Sequence, residues 1–335
     1  MPGLSRVDPE TPLRRILHLA DLHCGAPLRP GALAAVVRLV EERRPDLVVL
    51  AGDLTAGGRA WEYRQARELV QALETVSPVL AVPGGRDLRF GAALVRTDPE
   101  RAFRRWFPEE TVFHDDELAV VGAASFGAWT RRRGRLARRA LRRLEQRFAA
   151  LGESSRLCRI AVLHHPLVQV PSLAPLPLAR RARAALEVLR RVGVELVLGG
   201  HLHHSWAGTV PLSEPLRRGR RARGDGEGAE REPRELHVLH AGSAISRLGR
   251  PPESGSNSCL FVEISDASLS VERLVHGPDE RRFLGERAWR HECRDAATVV
   301  APVAVGGGGN AYHRCPEPEA SRPRGSAPLQ PEGQS

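Results

Sequence analysis

Residues 15–53 read RILHLADLHCGAPLRPGALAAVVRLVEERRPDLVVLAGD, and the order of patterns within them decides the fold. The apolar run at 15–20 (RILHLA) is too short for a helix and stops at Asp21-Leu22-His23. Residues 31–44 then carry apolar side chains at helical spacing, and 46–51 (DLVVLA) form a second short run that stops at Gly52-Asp53. Strands this continuously apolar belong to a parallel sheet covered on both faces. The alternation continues with a helix over 60–74, which places Leu69, Val70 and Leu73 on one side, and a third strand over 79–82 after Pro78. Right-handed crossovers bring the carboxyl ends of such strands to one edge, where ligands bind.

The same reading continues along the chain. Strands are expected at 118–123, 159–163, 195–198, 236–239, 259–264 and 269–275, with helices at 135–151 and 179–192. Residues 1–13 read as a flexible N-terminus and 14–290 as one domain. Within it 212–234, basic then acidic and rich in Gly, is expected to be a mobile insertion. Residues 291–335 turn to Gly, Pro, Ser and charge, with too few large apolar groups to offset their ordering entropy, and are expected to be disordered.

Composition narrows the class of protein. The hydrophobic share of 41% is enough to bury a core. The formal net charge is +10, and all 50 basic residues are Arg. Arg in place of Lys throughout is what a GC-rich genome imposes, so the charge is in part mutational. A basic surface nevertheless favours anionic partners such as nucleotides or nucleic acid. Five cysteines without a CxxC spacing argue against a disulfide framework. With no signal peptide pattern and no membrane-length apolar run, the sequence reads as that of a cytoplasmic enzyme.

Metal-ligating side chains gather where the expected strands end. Asp21 and His23 follow the first strand, Asp53 the second, and Gly84-Gly85-Arg86-Asp87 the third. His164 and His165 follow the strand at 159–163, and Gly200-His201-Leu202-His203 follows 195–198. A lone Asp after a strand is usually a turn or cap residue, and a lone His usually surface or core. Carboxylate and imidazole arriving after five successive strands are harder to assign to chance. Together they suit Zn, Mn or Fe, and the lack of nearby Cys disfavours a structural zinc site.

These motifs resemble the calcineurin-like metallophosphoesterases, whose pattern is D-x-H, G-D, G-N-H-D/E, a lone His, and G-H-x-H. The flanks ILHLADLHCG, PDLVVLAGDLT, PVLAVPGGRD, VLHHPL, GVELVLGGHLH and HAGSAIS are similar to the bacterial class III cyclic-nucleotide phosphodiesterase branch. The resemblance implies an α/β fold, a four-layer α/β/β/α sandwich of two mixed sheets flanked by helices. It implies a first divalent metal on Asp21, His23, Asp53 and His203, and a second on the bridging Asp53 with His164 and His201. Two such cations, about 3.5–4 Å apart, polarise phosphoryl oxygens and turn a water into an attacking hydroxide. The implied substrate is a phosphorylated small molecule or nucleotide. No role as a metal ligand is expected of His165, and His240, before Ala241-Gly242-Ser243, is expected to be supporting.

The third motif departs from the family. Its Asn, a ligand of the second metal, is Gly85 here, and its His is Arg86. The second site then keeps three protein ligands. A guanidinium is a poor general acid, but it binds phosphate bidentately and stabilises charge on the transferring group. Relatives that hydrolyse UDP-diacylglucosamine carry Arg in G-N-R-D, yet they retain the Asn. Arg86 and Asp87 are thus the catalytic candidates, with activity open to doubt from the altered motif. Two other readings remain. One is a weakened or inactive relative that binds or regulates; the other is a DNA nuclease, for which Arg131-Arg132-Arg133 and the arginines of 138–143 would track a backbone.

Overall fold

The computed structural model describes residues 14–88, 100–107, 111–126, 132–152, 158–210, 235–251, 253–265, 268–277 and 281–292. The insertion at 212–234, the N-terminus at 1–13, residues 293–335 and Arg131 lie outside them.

The opening β-α-β-α-β unit is β1 (Arg14–Leu19), α1 (Ala32–Arg43), β2 (Leu47–Ala51), α2 (Ala60–Glu74) and β3 (Val79–Val82). A short α3 (Arg101–Arg104) and β4 (Val112–His114) lead into β5 (Leu118–Gly122), α4 (Arg138–Ala150), β6 (Cys158–Val162), α5 (Ala182–Arg191) and β7 (Leu196–Gly199). Five strands follow: β8 (Trp206–Val210), β9 (Leu236–His240), β10 (Asn257–Ile264), β11 (Ser268–His276) and β12 (Leu284–Glu292).

They form two six-stranded mixed sheets, ordered β12-β11-β10-β1-β2-β3 and β4-β5-β6-β7-β9-β8. β1, β2 and β3 run parallel, and so do β5, β6, β7 and β9. The side-chain alternation along each strand shows why these runs had to be apolar on both faces. Ile16, Leu47, Val49, Leu80 and Val82 point to the second sheet and pack with Leu118, Val120, Ile160, Val162, Leu196 and Leu198. Their neighbours Leu17, Leu19, Val48 and Leu50 point the other way, onto Val36, Leu39 and Val40 of α1 and Leu69, Val70 and Leu73 of α2. The outer face of the second sheet packs Ala119, Val121, Ala161 and Val197 against Leu141, Leu144 and Phe148 of α4 and Ala185 and Leu189 of α5. Three apolar interfaces make four layers, α/β/β/α. Burying a side chain such as Leu or Val in them contributes about 1.5–3 kcal/mol each.

The sequence reading omitted β4, β8, β12 and α3. β12 and β8 are edge strands of mixed sequence, LGERAWRHE and WAGTV, whose described side chains are at most half-buried. Their position is set by backbone pairing with β11 and β9, which hydrophobic periodicity does not record.

Candidate metal centre

The loops that leave β1 and β2 are tied to each other by backbone hydrogen bonds, and so are those that leave β6 and β7. Asp21 N–H donates to Gly52 O (3.0 Å), His23 N–H to Asp53 O (2.9 Å), and Gly200 N–H to His164 O (3.1 Å). Ser243, just after β9, donates from Oγ to Asp21 O at 2.8 Å. Glycines let these loops approach. A Cβ on Gly84 would sit 2.3 Å from the Asp53 amide nitrogen and Oδ1, and one on Gly200 would sit 2.9 Å from Asp21 Oδ2.

All six expected ligands meet in this knot. Asp21, His23, Asp53, His164 and His203 are buried and His201 is half-buried. Asp21 Oδ1 lies 3.2 Å from His203 Nε2 and 3.6 Å from His23 Nε2, and these two nitrogens are 3.0 Å apart. Asp53 faces His23 Nε2 at 4.0 Å with Oδ2 and His164 Nε2 at 3.4 Å with Oδ1, and thus stands between the two groups. The ligand atoms of Asp21, His23 and His203 lie within 4.8 Å of one another, as do those of Asp21, Asp53 and His164.

The donor set fits divalent cations on an observation of its own. Asp21 Oδ1 and His164 Nε2 are buried and lack a hydrogen-bond partner among the described residues, an arrangement that costs free energy unless something else satisfies them. The opposite nitrogens are engaged. His164 Nδ1 donates to Ala51 O at 2.7 Å and His203 Nδ1 to Leu248 O, which fixes both tautomers with the Nε2 lone pair toward the centre. Imidazole ligands are oriented in this way by carbonyls in known metal sites. Burial opposes charge on Asp21 and Asp53, yet His203 holds the first carboxylate well below its usual range, and His164 lowers the second. Burial works against protonating His164, and the Asp53 carboxylate outweighs it, raising the imidazole to about 9. Two ionised carboxylates in an enclosed site thus attract positive charge strongly.

Residues 14–205 match the calcineurin-like phosphoesterase family over more than half of the chain. The chain belongs to that family. It is a metallophosphoesterase, and the family uses divalent metals. A probable cyclic nucleotide phosphodiesterase of a Synechococcus strain is 30% identical over 206 residues, covering 60% of this chain and 70% of the relative. A second probable cyclic nucleotide phosphodiesterase, from Rhodococcus erythropolis, is 29% identical over 219 residues with the same two coverages. Among solved structures, a metallophosphoesterase from Sphaerobacter thermophilus is 17% identical with a TM-score of 0.34, over 74% of this chain and 82% of that one. GAP50 of Plasmodium, 12% identical, has a TM-score of 0.48 over 84% and 88% of the two chains.

The altered third motif of this phosphoesterase is well ordered by hydrogen bonds. Arg86 N–H donates to Asp53 Oδ1 at 2.7 Å, while the Arg86 side chain is exposed. Asp87 is fully buried and accepts four hydrogen bonds: Oδ2 from Gly84 N–H (2.8 Å) and Leu54 N–H (3.2 Å), Oδ1 from Thr55 N–H (2.8 Å) and Thr55 Oγ (2.9 Å). Tyr63 of α2 closes the arrangement by donating to Asp87 O. Burial and the nearby Asp53 charge push the Asp87 carboxyl up to about 6.

Two supporting residues, Glu253 and Ser125, had no signal in the sequence. Glu253 is buried and accepts from Ser205 N–H at 2.9 Å, two residues beyond His203. It also pairs with Arg273 at 3.1 Å and His204 at 3.0 Å. Ser125 Oγ accepts from His165 N–H (3.0 Å) and is 2.9 Å from His165 Nδ1. His240 is supporting, its Nδ1 donating to Gly200 O at 3.0 Å. Beside the loops, a cleft of about 290 Å³ is lined by Arg104, Arg139, Arg143 and Arg147 over Pro83 and Phe103.

Proposed function

We propose that this chain hydrolyses small phosphoesters, nucleotides foremost, as a phosphodiesterase or phosphatase dependent on two divalent cations. The observation that carries the reading is the pair of buried, unpartnered atoms Asp21 Oδ1 and His164 Nε2 on either side of Asp53. In this reading Asp21, His23, Asp53 and His203 hold one cation, and Asp53, His164 and His201 a second, of Mn, Fe or Zn. Bound there, such cations would polarise a phosphoryl oxygen and lower the pKa of a water. The names of the Synechococcus and Rhodococcus relatives favour a cyclic nucleotide as the first substrate to try.

The chain's own residues do the rest. The exposed Arg86 guanidinium, anchored through its backbone to Asp53, binds phosphoryl oxygens and offsets charge that grows in the transition state. Asp87, with its acceptor oxygens filled by loop donors, positions the loops and does not meet the substrate. No group at position 86 can give a proton to the leaving oxygen, so substrates with good leaving groups react best. Restoring Gly85→Asn with Arg86→His tests this. A large rise in turnover on a diester with a poor leaving group is expected, with little change on an activated aryl ester. Equal gains on both would rule out the missing-acid account.

The Gly85-Arg86 departure itself favours a second reading, a relative that binds without hydrolysing. Saturation at one metal equivalent, with no turnover under Mn, Fe or Zn, would establish it. The nuclease reading draws on the arginines of α4, of which Arg138, Arg139, Arg142 and Arg143 are exposed. Solvation alone accounts for their exposure, and only steeply salt-dependent DNA binding would support a nuclease.

A further inference from the structure

The imidazole of His203 is oriented from a stretch of chain at the surface. Its Nδ1–H donates to the carbonyl of Leu248, a residue 38% exposed, whose own side chain is therefore a weak anchor. On the N-terminal side the stretch is tied by Arg247 N–H to Pro27 O at 2.9 Å. On the C-terminal side it rests on Glu253. Glu253 N–H donates to Arg250 O at 2.7 Å. Gly249 packs so closely on the Glu253 carbonyl that a Cβ there would lie 2.8 Å from the oxygen.

The Glu253 side chain turns back to the other end of the same link. It is 5% exposed and accepts from Ser205 N–H at 2.9 Å, two residues past His203, and from Ser258 Oγ. Ser258 Oγ in turn lies 2.8 Å from Ser205 Oγ. His204 Nδ1 stands 3.0 Å and Arg273 3.1 Å from the same carboxylate. Gly242 leaves the room for it, since a Cβ there would be 2.6 Å from Glu253 Oε2. The path from His203 to Leu248, to Glu253, to Ser205 and back is closed, with a buried carboxylate at its foot. A buried ion pair is a weak source of stability, so what Glu253 supplies is the geometry it fixes.

We propose that Glu253 is a positioning residue of the metal centre. By tying the turn that carries Leu248 to the turn that carries His203, it keeps the His203 Nε2 lone pair aimed at the cation shared with Asp21, His23 and Asp53. This rests on the metal-dependent reading above. His164 and His201 take no part in the link, so its effect falls on one of the two sites. The sequence pattern hides the role, because Glu253 lies 50 positions beyond His203 in a stretch without a motif.

Two substitutions disturb the link at different points. Glu253→Ala removes the acceptor of Ser205 N–H. Gly249→Ala, at a half-buried position, pushes the Leu248 turn off the Glu253 carbonyl and keeps the test open where Glu253→Ala does not fold. Glu253→Gln is the conservative variant, since its oxygen still accepts from Ser205 N–H and its amide donates to Ser258 Oγ. The full chain is stripped of metal, its imidazoles are followed by nitrogen-edited NMR, and it is then titrated with Co(II). Metal-free wild type is expected to show a protected His203 Nδ1–H, lost in both alanine variants and kept in Glu253→Gln. Wild type and Glu253→Gln are expected to bind two equivalents, while each alanine variant binds one of the two about 10–100-fold more weakly and the other unchanged. A His203 signal that persists in either alanine variant overturns the proposal, as does equal weakening, or no weakening, of both equivalents. Glu253→Gln as impaired as Glu253→Ala also overturns it, by giving the effect to the charge that faces Arg273. A wild type that binds no Co(II), with the His203 signal still lost in the alanine variants, would remove the metal-dependent reading and leave the positioning of His203 in place.

Discussion

Of the seven non-glycine residues with positive φ among those described, five are expected metal ligands: Asp21, His23, Asp53, His201 and His203. Left-handed backbone costs about 1–3 kcal/mol for a residue with a Cβ and persists only where the surroundings enforce it. Beside Asp53 part of the enforcement comes from Asp87, whose carboxylate gathers amides from Leu54, Thr55 and Gly84. Asp87→Asn would turn an NH2 toward Leu54 N–H and Gly84 N–H and leave two buried donors unmatched. We expect a loss of about 2–4 kcal/mol in urea unfolding, with weakened metal affinity. Wild-type stability with abolished turnover would place Asp87 in the chemistry instead. Position 87 was legible in the sequence as a member of a motif, but its role as a brace was not. That role depends on which amides face it, and the loop after β2 supplies them from more than 30 residues away.

Among the elements, the order of β1, α1, β2, α2 and β3 could be read from periodicity because each strand packs apolar side chains on both faces and each helix on one. The limits of α2 and β3 agree to the residue with the sequence reading, since Pro78 separates them and Leu69, Val70 and Leu73 mark the buried side. The edge strands β8 and β12 escaped it, because pairing partners and not side chains define them. So did Glu253 and Ser125, which brace the centre from loops that carry no motif. The turn after β3 is where element and site meet. Gly84 packs against Asp53 with no room for a Cβ, whereas a Cβ on Gly152 beyond α4, which is itself at φ +72°, would meet nothing within 4 Å among the described residues. Gly84→Ala should therefore displace Asp53 and weaken metal binding by at least about 10-fold, a loss in the range that support around a metal imposes. Gly152→Ala should cost about 1 kcal/mol of backbone strain and leave metal affinity unchanged. Calorimetric titration of both variants checks the contrast, and equal affinities would show that the close approach at Gly84 does not matter to the centre.

At the scale of the molecule, packing two sheets face to face buries imidazoles whose desolvation outweighs any nearby carboxylate, and this sets the response to acid. Burial lowers His18 to about 3, with His240 adding to the effect; burial lowers His240 to about 4, and His237, beside His291, to about 4. In each case the folded value lies below the unfolded value near 6.5, so the unfolded chain takes up protons first as pH falls. The stability these groups contribute is complete above about 6.5 and is lost as pH falls through the window down to about 3–4. Asp87 works in the opposite sense between about 6 and 3.8, because its folded value is raised, but it is one group against these three and His201, which burial also lowers. His164, raised to about 9 in the metal-free protein, affects stability only between about 6.5 and 9 and so lies outside this window. Each imidazole accounts for roughly 3–5 kcal/mol at the end of the range. Urea midpoints of the metal-free protein should fall steadily from pH 6.5 to 4.5, and His237→Gln, which removes one of the three titrations, should flatten that slope. A midpoint that holds constant over the interval would show that the buried imidazoles find protons or water in the fold after all.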